Sequence, residues 1–337
     1  MVFYSVSSVL SLSMTFGGIL ISLVSLNMLG LWVGIEMNFL GAICYMSGVS
    51  LDEGESMMKY FVVQVMGSCF MVLGLLMMVN FCLESFVLKL IIVGTLLKLG
   101  VFPFHFWVAS VMSGLSWSGC FVVSVLQKFV PLWLLSNLCL VKEELSVLEI
   151  LASLTSAVGC LGGLGVLSYR VLLAYSSLVN LGILVILCCV SLSVFWFYMG
   201  FYLLLNLFLM VSLSKLKIYF FLDLVKEKSM SYFSWVWWTS LYFFSLAGLP
   251  PFSGCVLKVY FLLNCWNCFP VGCMICIFSS VVSLYFYLSV ILGFIIFWGK
   301  SLSNVTAKNS MDMLLIVNLS IFVNIVLGFM LFLWQGV

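Results

Sequence analysis

The feature that most constrains this chain is the repetition of apolar runs of about 20 residues, each long enough to cross the hydrocarbon core of a bilayer. The polar gaps between these runs are too short to form a soluble domain. Only 7% of the 337 residues are charged, whereas a soluble globular domain has roughly 25%. We therefore predict an all-α polytopic membrane protein, because a helix satisfies its own backbone hydrogen bonds within lipid.

Hydropathy over a window of about 19 residues predicts about eleven transmembrane helices in a single membrane domain, 1–337. They are expected at Phe3–Leu26, Met28–Val49, Met57–Phe81, Val87–Met112, Trp117–Leu140, Leu145–Leu167, Val171–Leu192, Val194–Phe221, Trp235–Leu263, Val271–Trp298 and Met313–Trp334. Assigning the loops alternately to the two sides places most lysines, and Arg170, on the side of the N-terminus. The positive-inside rule then predicts that the N-terminus lies in the cytoplasm or matrix.

The fourth of these runs contains the segment Leu97–Trp107, LKLGVFPFHFW, which holds a lysine, a proline and the only histidine of the chain. A charge at the centre of a membrane helix costs about 2.5 to 3.5 kcal/mol on insertion scales, so such a residue usually has a function. Pro103 lacks an N–H group and clashes with the preceding turn, so the helix is predicted to break just after Lys98. Many ion transporters build a site at mid-membrane depth from a broken helix with a charge at the break.

A second interrupted run, SLAGLPPFSGCVLKVY, extends from Ser245 to Tyr260, and Lys258 lies near its end. The residues predicted to break this helix are Gly248, Pro250, Pro251 and Gly254. Paired interrupted segments in the two halves of a chain indicate an inverted-repeat transporter. The alternative is that proline and glycine are simply more frequent in membrane helices, which explains each break but not the attached lysines.

Two further ionisable residues, Glu36 and Lys128, lie within apolar runs. Burial disfavours the charged form of such a group and an ion pair favours it, so the group can be switched. If Glu36 pairs with Lys98, a charge that moves near Glu36 loosens the pair and lets the lysine release its proton. The alternative is that these charges are structural pairs that fix helix packing.

His105 follows the first break, and its reference pKa of about 6.5 suits a proton relay. A neutral, packed and hydrogen-bonded histidine fits the sequence equally well, so both interpretations stay open.

The thirteen cysteines are scattered through apolar runs, where thiols behave as small hydrophobic groups, and we expect them to be reduced. A doubled C-x-x-C pattern is present, but the spacing between its two pairs is shorter than in zinc sites, which favours chance. Its members are Cys265, Cys268, Cys273 and Cys276. The chain has no extended basic surface, nucleotide-binding motif, iron–sulfur cysteine run or pair of haem histidines. We therefore expect no nucleic-acid partner and no metal or cofactor in this chain.

Six motifs occur in an order that resembles a known family: EMNFL at Glu36, KYFVVQVMGS from Lys59, LLKLGVFPFHFW around Lys98, LQKFVPL around Lys128, LLAYSSLVNLG from Leu172 and SLAGLPPFSGCVLK around Lys258. Over nearly the whole chain they resemble the mitochondrially encoded NADH dehydrogenase subunit 2 family. Its members are antiporter-like subunits of respiratory complex I, similar to Mrp-type sodium/proton antiporter subunits. One departure is HFWVASV, where relatives commonly read HFWVPEV, so Ala109 and Ser110 replace a proline and an acid. Any role of that acid cannot apply to this chain.

The resemblance implies two inverted five-helix repeats, about 3–140 and 145–298, each with one broken helix, followed by a C-terminal helix at about 313–334. It assigns proton translocation to Glu36, to Lys98 in the first broken helix, to the bridging Lys128 and to Lys258 in the second broken helix. We call these four residues the hydrophilic axis.

The resemblance also implies a place in the mitochondrial inner membrane, with the N-terminus in the matrix. There the chain would couple electron transfer from NADH to ubiquinone in partner subunits to proton pumping. NADH, FMN, iron–sulfur clusters and ubiquinone would bind to those partners. Neighbouring antiporter-like subunits and lipids such as cardiolipin would surround the chain. Two alternatives remain: a stand-alone sodium/proton antiporter, and a scaffold whose buried charges only lock helices together.

Overall fold

The computed structural model describes residues 6–47, 50–80, 84–138, 140–221, 223, 233–250, 252–302 and 324. These residues form twelve helices, and the β structure among them is a single antiparallel bridge between Ser168 and Phe220. The helices are α1 Val6–Val24, α2 Met28–Met46, α3 Leu51–Asn80, α4 Glu84–Leu99, α5 Phe106–Gly114, α6 Trp117–Asn137, α7 Lys142–Gly162, α8 Tyr169–Val190, α9 Leu192–Leu216, α10 Phe233–Ala247, α11 Ser253–Cys265 and α12 Pro270–Leu302.

Eight of these helices are long and apolar enough to cross a membrane: α1, α2, α3, α6, α7, α8, α9 and α12. The other four form two interrupted pairs, α4 with α5 and α10 with α11, at the two predicted breaks. The first ten predicted spans are thus found, and the polytopic all-helical fold is confirmed. Of the expected helix at Met313–Trp334, residue 324 alone is among the described residues, so that prediction is not tested.

Two helix ends differ from the prediction, and local chemistry explains both. Helix α3 begins at Leu51 rather than at Met57, because Asp52 and Glu53 in its first turn stabilise the positive end of the helix dipole. Helix α9 ends at Leu216, before the predicted Phe221, because Lys217 adopts a left-handed conformation with φ 54°.

The centre of the described bundle is formed by α6 and α8. In these helices 78% and 89% of the spanning residues are buried, compared with 33% in α1 and 22% in α3. Helices α1 and α3 therefore present broad apolar faces to lipid or to neighbouring chains. Ionisable groups carried by α6 and contacted by α8 are shielded from lipid on every side, which is the position that a buried proton site requires.

The first break is closed by the hydrogen bonds that commonly end a helix at glycine. Gly100 has φ +76°, and its N–H donates to the Leu96 carbonyl at 3.0 Å. The next N–H, from Val101, donates to the same carbonyl at 3.1 Å. A residue other than glycine is strained at this φ, so Gly100 ends α4 and the following Pro103 prevents it from continuing.

The second break has the same pattern. Gly248 has φ +78°, and its N–H donates to the Phe244 carbonyl at 3.2 Å, while the N–H of Leu249 donates to that carbonyl at 3.4 Å. Pro250 follows, as Pro103 does in the first break. One part of the prediction was wrong: Gly254 lies in the first turn of α11 rather than in the break, because the helix restarts at Ser253.

Loops that were predicted to share the side of the N-terminus meet at one end of the bundle. Arg170 donates through Nη1 to the Leu115 carbonyl at 2.7 Å, and its guanidinium lies 4.7 Å from the Tyr219 ring centroid. Trp117 stacks on the same Tyr219 ring with centroids 5.6 Å apart. Three separate loops are thus tied together by one arginine, in agreement with the relative sidedness predicted from the sequence.

Candidate functional site

Glu36 and Lys98 form an ion pair inside the bundle. The Lys98 Nζ lies 2.6 Å from Glu36 Oε1, joining α2 to the last turn of α4. The Lys98 side chain is 1% exposed and the Glu36 side chain is 21% exposed. A buried ammonium group without a partner is very costly, so the carboxylate provides the charge compensation that the lysine needs at this depth. Because the Glu36 side chain is partly exposed, its carboxylate can exchange protons with groups outside the pair.

The environment of Lys98 is shaped to hold its long side chain. The Gln64 side chain donates to the Lys98 carbonyl at 3.1 Å, and the Lys98 Nζ lies 5.7 Å from the Phe39 ring centroid. Gly67 on α3 leaves the space for the lysine stem, since a Cβ there would lie 2.8 Å from Lys98 Cγ. Helix α3 therefore fixes Lys98 in two ways. Gln64 binds the backbone carbonyl of the lysine, and Gly67, one turn further along α3, leaves the space that the lysine side chain occupies.

Lys128 lies at the centre of α6 and is 3% exposed. Its Nζ donates to the Ser177 carbonyl on α8 at 2.9 Å. No carboxylate pairs with it among the described residues, so a single neutral oxygen is the partner that the structure gives it. A π-helical turn, Val122–Leu126, comes immediately before this part of α6, and Pro131 lies within the helix just after it. Turns of this kind are frequent at functional sites.

Lys258 is half-buried on α11, and its Nζ donates to the Ala247 carbonyl at 2.7 Å, across the second break. A Cβ on Gly248 would lie 2.7 Å from this Nζ, so Gly248 leaves room for Lys258 as Gly67 does for Lys98. The two breaks differ in order, because Lys98 precedes the first break whereas Lys258 follows the second. Lys258 lies against the backbone of its own interrupted helix, whereas Lys98 lies against Glu36 on α2 and Gly67 on α3.

His105 caps α5 and is 8% exposed. Its ring packs against those of Phe102 and Phe106, with centroid distances of 5.9 Å and 4.0 Å. These contacts fit a packed histidine, and the relay interpretation stays open beside it. His105 therefore remains a predicted site residue.

Of the five predicted site residues, Glu36 and Lys98 are brought into direct contact. Lys128 and Lys258 instead bind backbone carbonyls on other segments of the bundle. Polar side chains on α8 and α9 continue beyond Ser177, where the Tyr198 hydroxyl donates to Asn180 Oδ1 at 2.9 Å.

A buried network beside the ion pair was not predicted. The Tyr60 hydroxyl donates to Gln127 Oε1 at 2.7 Å, and Gln127 Nε2 donates to the carbonyl and to the Oδ1 of Asn38, both at 3.0 Å. We call Asn38, Tyr60 and Gln127 the amide clamp. The sequence does contain a signal for these residues, since each is a polar residue within an apolar run. Polarity alone does not identify partners on three different helices.

Within the described residues, no three or more histidine, cysteine, aspartate and glutamate side chains group to hold a metal. The cysteines in that part of the chain, including Cys265, Cys268, Cys273 and Cys276, are free thiols. Two glycines near the end of α7, Gly159 and Gly162, pack closely against helix α8. Cβ atoms on Gly159 and Gly162 would meet the Tyr175 carbonyl at 2.9 Å and the Tyr175 ring at 2.3 Å.

The sequence of this chain is similar to those of known proteins. The sequence profile of the NADH:quinone oxidoreductase/Mrp antiporter transmembrane family matches residues 25–283. The NADH-ubiquinone oxidoreductase chain 2 of Albinaria caerulea is 31% identical over 324 residues, which cover 94% of this chain and 97% of that protein.

Two solved structures share the fold. A chain of respiratory complex I from Thermus thermophilus superposes with a TM-score of 0.77 at 21% identity, covering 86% of this chain and 71% of that one. A chain of the Mrp complex from a Dietzia species superposes with a TM-score of 0.69 at 18% identity, covering 84% of this chain and 59% of that one. At these identities, the two structures are evidence about the fold alone.

Proposed function

We propose that this chain, which belongs to the NADH:quinone oxidoreductase/Mrp antiporter family and within it to the NADH-ubiquinone oxidoreductase chain 2 proteins, is a proton-translocating membrane subunit of respiratory complex I. The observation that carries the proposal is the buried Glu36–Lys98 ion pair at the first helix break. Proton transfer through a membrane needs groups that change their charge at that depth. An acid and a base in contact beside a helix break meet this need.

The pair works as a switch because each charge stabilises the other. With the carboxylate in place, the Lys98 ammonium keeps its proton despite burial. When a neighbouring charge draws Glu36 away, the ammonium is left uncompensated and releases its proton. At an effective dielectric constant of about 20, two unit charges at about 4 Å interact by about 4 kcal/mol, or roughly a thousandfold in a proton-binding equilibrium. A change of that size is sufficient to switch the lysine.

Lys128 and Lys258 continue the hydrophilic axis. Each ammonium group is held by one carbonyl, of Ser177 or of Ala247, and neither has a carboxylate partner in the described residues. The positive charge is therefore less fully compensated there than in the Glu36–Lys98 pair. We propose that protons pass along these lysines through bound water, with His105 as a further relay.

This function places the redox chemistry in partner subunits. We propose that NADH, FMN, iron–sulfur clusters and ubiquinone bind there, and that the chain is a non-redox part of the enzyme. The exposed apolar faces of α1 and α3 suit neighbouring antiporter-like subunits and lipids such as cardiolipin. We propose that the protein lies in the mitochondrial inner membrane with the Arg170 end and the N-terminus in the matrix. The division into repeats at about 3–140 and 145–298 is supported by the matching hydrogen-bond patterns at the two breaks.

A stand-alone sodium/proton antiporter is the second candidate, because the Mrp chain has the same fold. The sequence similarity favours the first, since 31% identity extends over 97% of an NADH-ubiquinone oxidoreductase chain 2. The two functions are separated by purification and reconstitution. The proposed subunit is recovered with a large redox assembly, whereas an antiporter exchanges sodium for protons in liposomes that contain this chain alone.

Substitution of the ion pair tests the function directly. In the intact complex, we expect Lys98→Met to lower proton translocation per NADH oxidised by about tenfold or more, because the transition between paired and unpaired states is lost. Removing one partner of a buried pair also costs about 3 to 5 kcal/mol of stability. The double variant Glu36→Gln with Lys98→Met leaves no unpaired charge and is the control for assembly.

A relay predicts that the double variant assembles and does not pump. A scaffold predicts the opposite for Lys98→Met: less assembled complex, with normal pumping by each complex that forms. Normal pumping by assembled Lys98→Met complexes would therefore refute the proposed role of the pair.

A further inference from the structure

We infer that the amide clamp of Asn38, Tyr60 and Gln127 transmits the state of the Glu36–Lys98 pair to Lys128. The three residues are then positioning residues, which act on proton transfer through the lysines without carrying protons themselves. The inference rests on the proposed function and adds to it the connection between the first two sites of the axis.

The clamp is rigid because every hydrogen-bonding group of the Gln127 amide is used in one orientation. Its Oε1 accepts from the Tyr60 hydroxyl, and both bonds from its Nε2 end on Asn38. Asn38 in turn donates through Nδ2 to the Leu126 carbonyl at 3.3 Å. The three side chains are buried, so loss of one partner leaves another polar group unsatisfied. Asn38 and Gln127 are thereby constrained to move together.

The same helices hold the ion pair. Asn38 is on α2 with Glu36, so a movement of α2 that opens the pair also displaces Asn38. Tyr60 is on α3, and its ring lies 5.9 Å from the Phe39 ring, which in turn faces the Lys98 ammonium at 5.7 Å. The clamp is therefore connected to Glu36 through helix α2 and to Lys98 through the Phe39 ring.

On the other side, the clamp ends on the residue next to Lys128. Consecutive residues of a helix point about 100° apart, so Gln127 faces α2 and α3 while Lys128 reaches the Ser177 carbonyl on α8. Any rotation of this turn that follows Gln127 changes the distance from Lys128 to that carbonyl. This turn of α6 thus contacts α2 and α3 through Gln127, and contacts α8, in the second half of the chain, through Lys128.

This turn is also the part of α6 best able to change. The π-helical turn Val122–Leu126 precedes it, and Pro131, four residues after Gln127, supplies no N–H to the Gln127 carbonyl. A π-helical turn is a single-turn bulge within an α-helix, so its conversion to an α-helical turn would rotate and shift the residues that follow. Coupling between two sites requires an element with two arrangements that both sites bias. The π-helical turn, gripped by the clamp, is that element.

The test uses Gln127→Leu in the intact complex, reconstituted in liposomes, with Ser212→Ala as the matched control. Ser212 is on α9, outside the clamp and the π-helical turn; it is 2% exposed, and its hydroxyl donates to the Leu209 carbonyl of its own helix at 2.7 Å. We expect Gln127→Leu to lower proton translocation per NADH oxidised by about fivefold or more, the usual lower range of coupling between sites. It should also shift the pH profile of turnover, which a purely structural defect would leave in place. Ser212→Ala should change neither.

A double variant distinguishes transmission from independent damage. If the clamp acts through the pair, Gln127→Leu combined with Lys98→Met pumps no less than Lys98→Met alone, because the signal is already absent. Effects that multiply would overturn the inference, as would Gln127→Leu complexes that pump like Ser212→Ala complexes. If Gln127→Leu does not assemble, Tyr60→Phe removes one hydroxyl and keeps the ring, and must then reproduce the loss of pumping and the pH shift. Normal pumping by Lys98→Met would instead refute the proposed function itself.

Discussion

Alanine in place of Gly67 would put a methyl group against the side chain of Lys98. The new Cβ would lie 2.8 Å from Lys98 Cγ and 3.1 Å from the Gly94 carbonyl oxygen. The carbonyl is backbone within a packed helix, so the lysine has to yield. Ordinary carbon contacts begin at about 3.5 Å, so the stem must move by roughly 0.7 Å.

That displacement acts on the ion pair, whose Nζ to Oε1 distance is 2.6 Å. If the distance grows to about 3.2 Å, the attraction at an effective dielectric constant of about 20 falls by about 1 kcal/mol. The ratio of paired to unpaired states then falls by roughly fivefold. Overpacking separately lowers the stability of the fold by about 1 to 3 kcal/mol, which is measured as the amount of assembled complex and its thermal inactivation.

The assay is NADH-driven acidification of liposomes that contain the intact complex, divided by the NADH oxidised in the same sample. Gly54→Ala is the matched control, because Gly54 is on the same helix and a Cβ there meets nothing within 4 Å. We expect about fivefold less proton translocation per NADH in Gly67→Ala, and no change in Gly54→Ala. Equal pumping by the two variants, at equal assembly, would show that the position of Lys98 against Glu36 does not control translocation.

Three further substitutions, one of them a control, test other parts of the structure. Gly248→Ala and Gly165→Ala both force alanine to a positive φ, +78° and +81°, which costs about 1 to 2 kcal/mol in each case. Only the first Cβ meets Lys258, so pumping per assembled complex should fall in Gly248→Ala alone, and a loss in Gly165→Ala would contradict the steric explanation. Arg170→Met removes a hydrogen bond and the contact with the Tyr219 ring, so the midpoint of thermal inactivation should fall by the equivalent of about 2 kcal/mol. Pumping by each assembled complex should stay normal, and an unchanged midpoint would show that the arginine does not hold the loops together.

The order of helices could be predicted from the sequence because membrane insertion depends on local properties. An apolar run of sufficient length has one favourable structure in lipid, and Gly100 with Pro103, or Gly248 with Pro250, interrupts it wherever the run is placed. The breaks were found for this reason, although the exact role of Gly254 was not, since a glycine near a break fits either side of it.

The contacts of the site depend on tertiary structure. The sequence indicated Glu36 and Lys98 as possible partners because a buried charge needs compensation, and the fold places them together. It gave no indication that Lys128 would bind the Ser177 carbonyl, because every residue carries such an oxygen and only helix packing selects one.

The amide clamp shows the same limit. The sequence by itself determined that polar groups would be buried at defined depths along each helix, since hydropathy and residue spacing are properties of the local chain. Only the tertiary structure decided that Asn38, Tyr60 and Gln127 would meet, because their contact depends on the rotation and separation of α2, α3 and α6. Those quantities arise from the packing of all the helices at once, and no single segment encodes them.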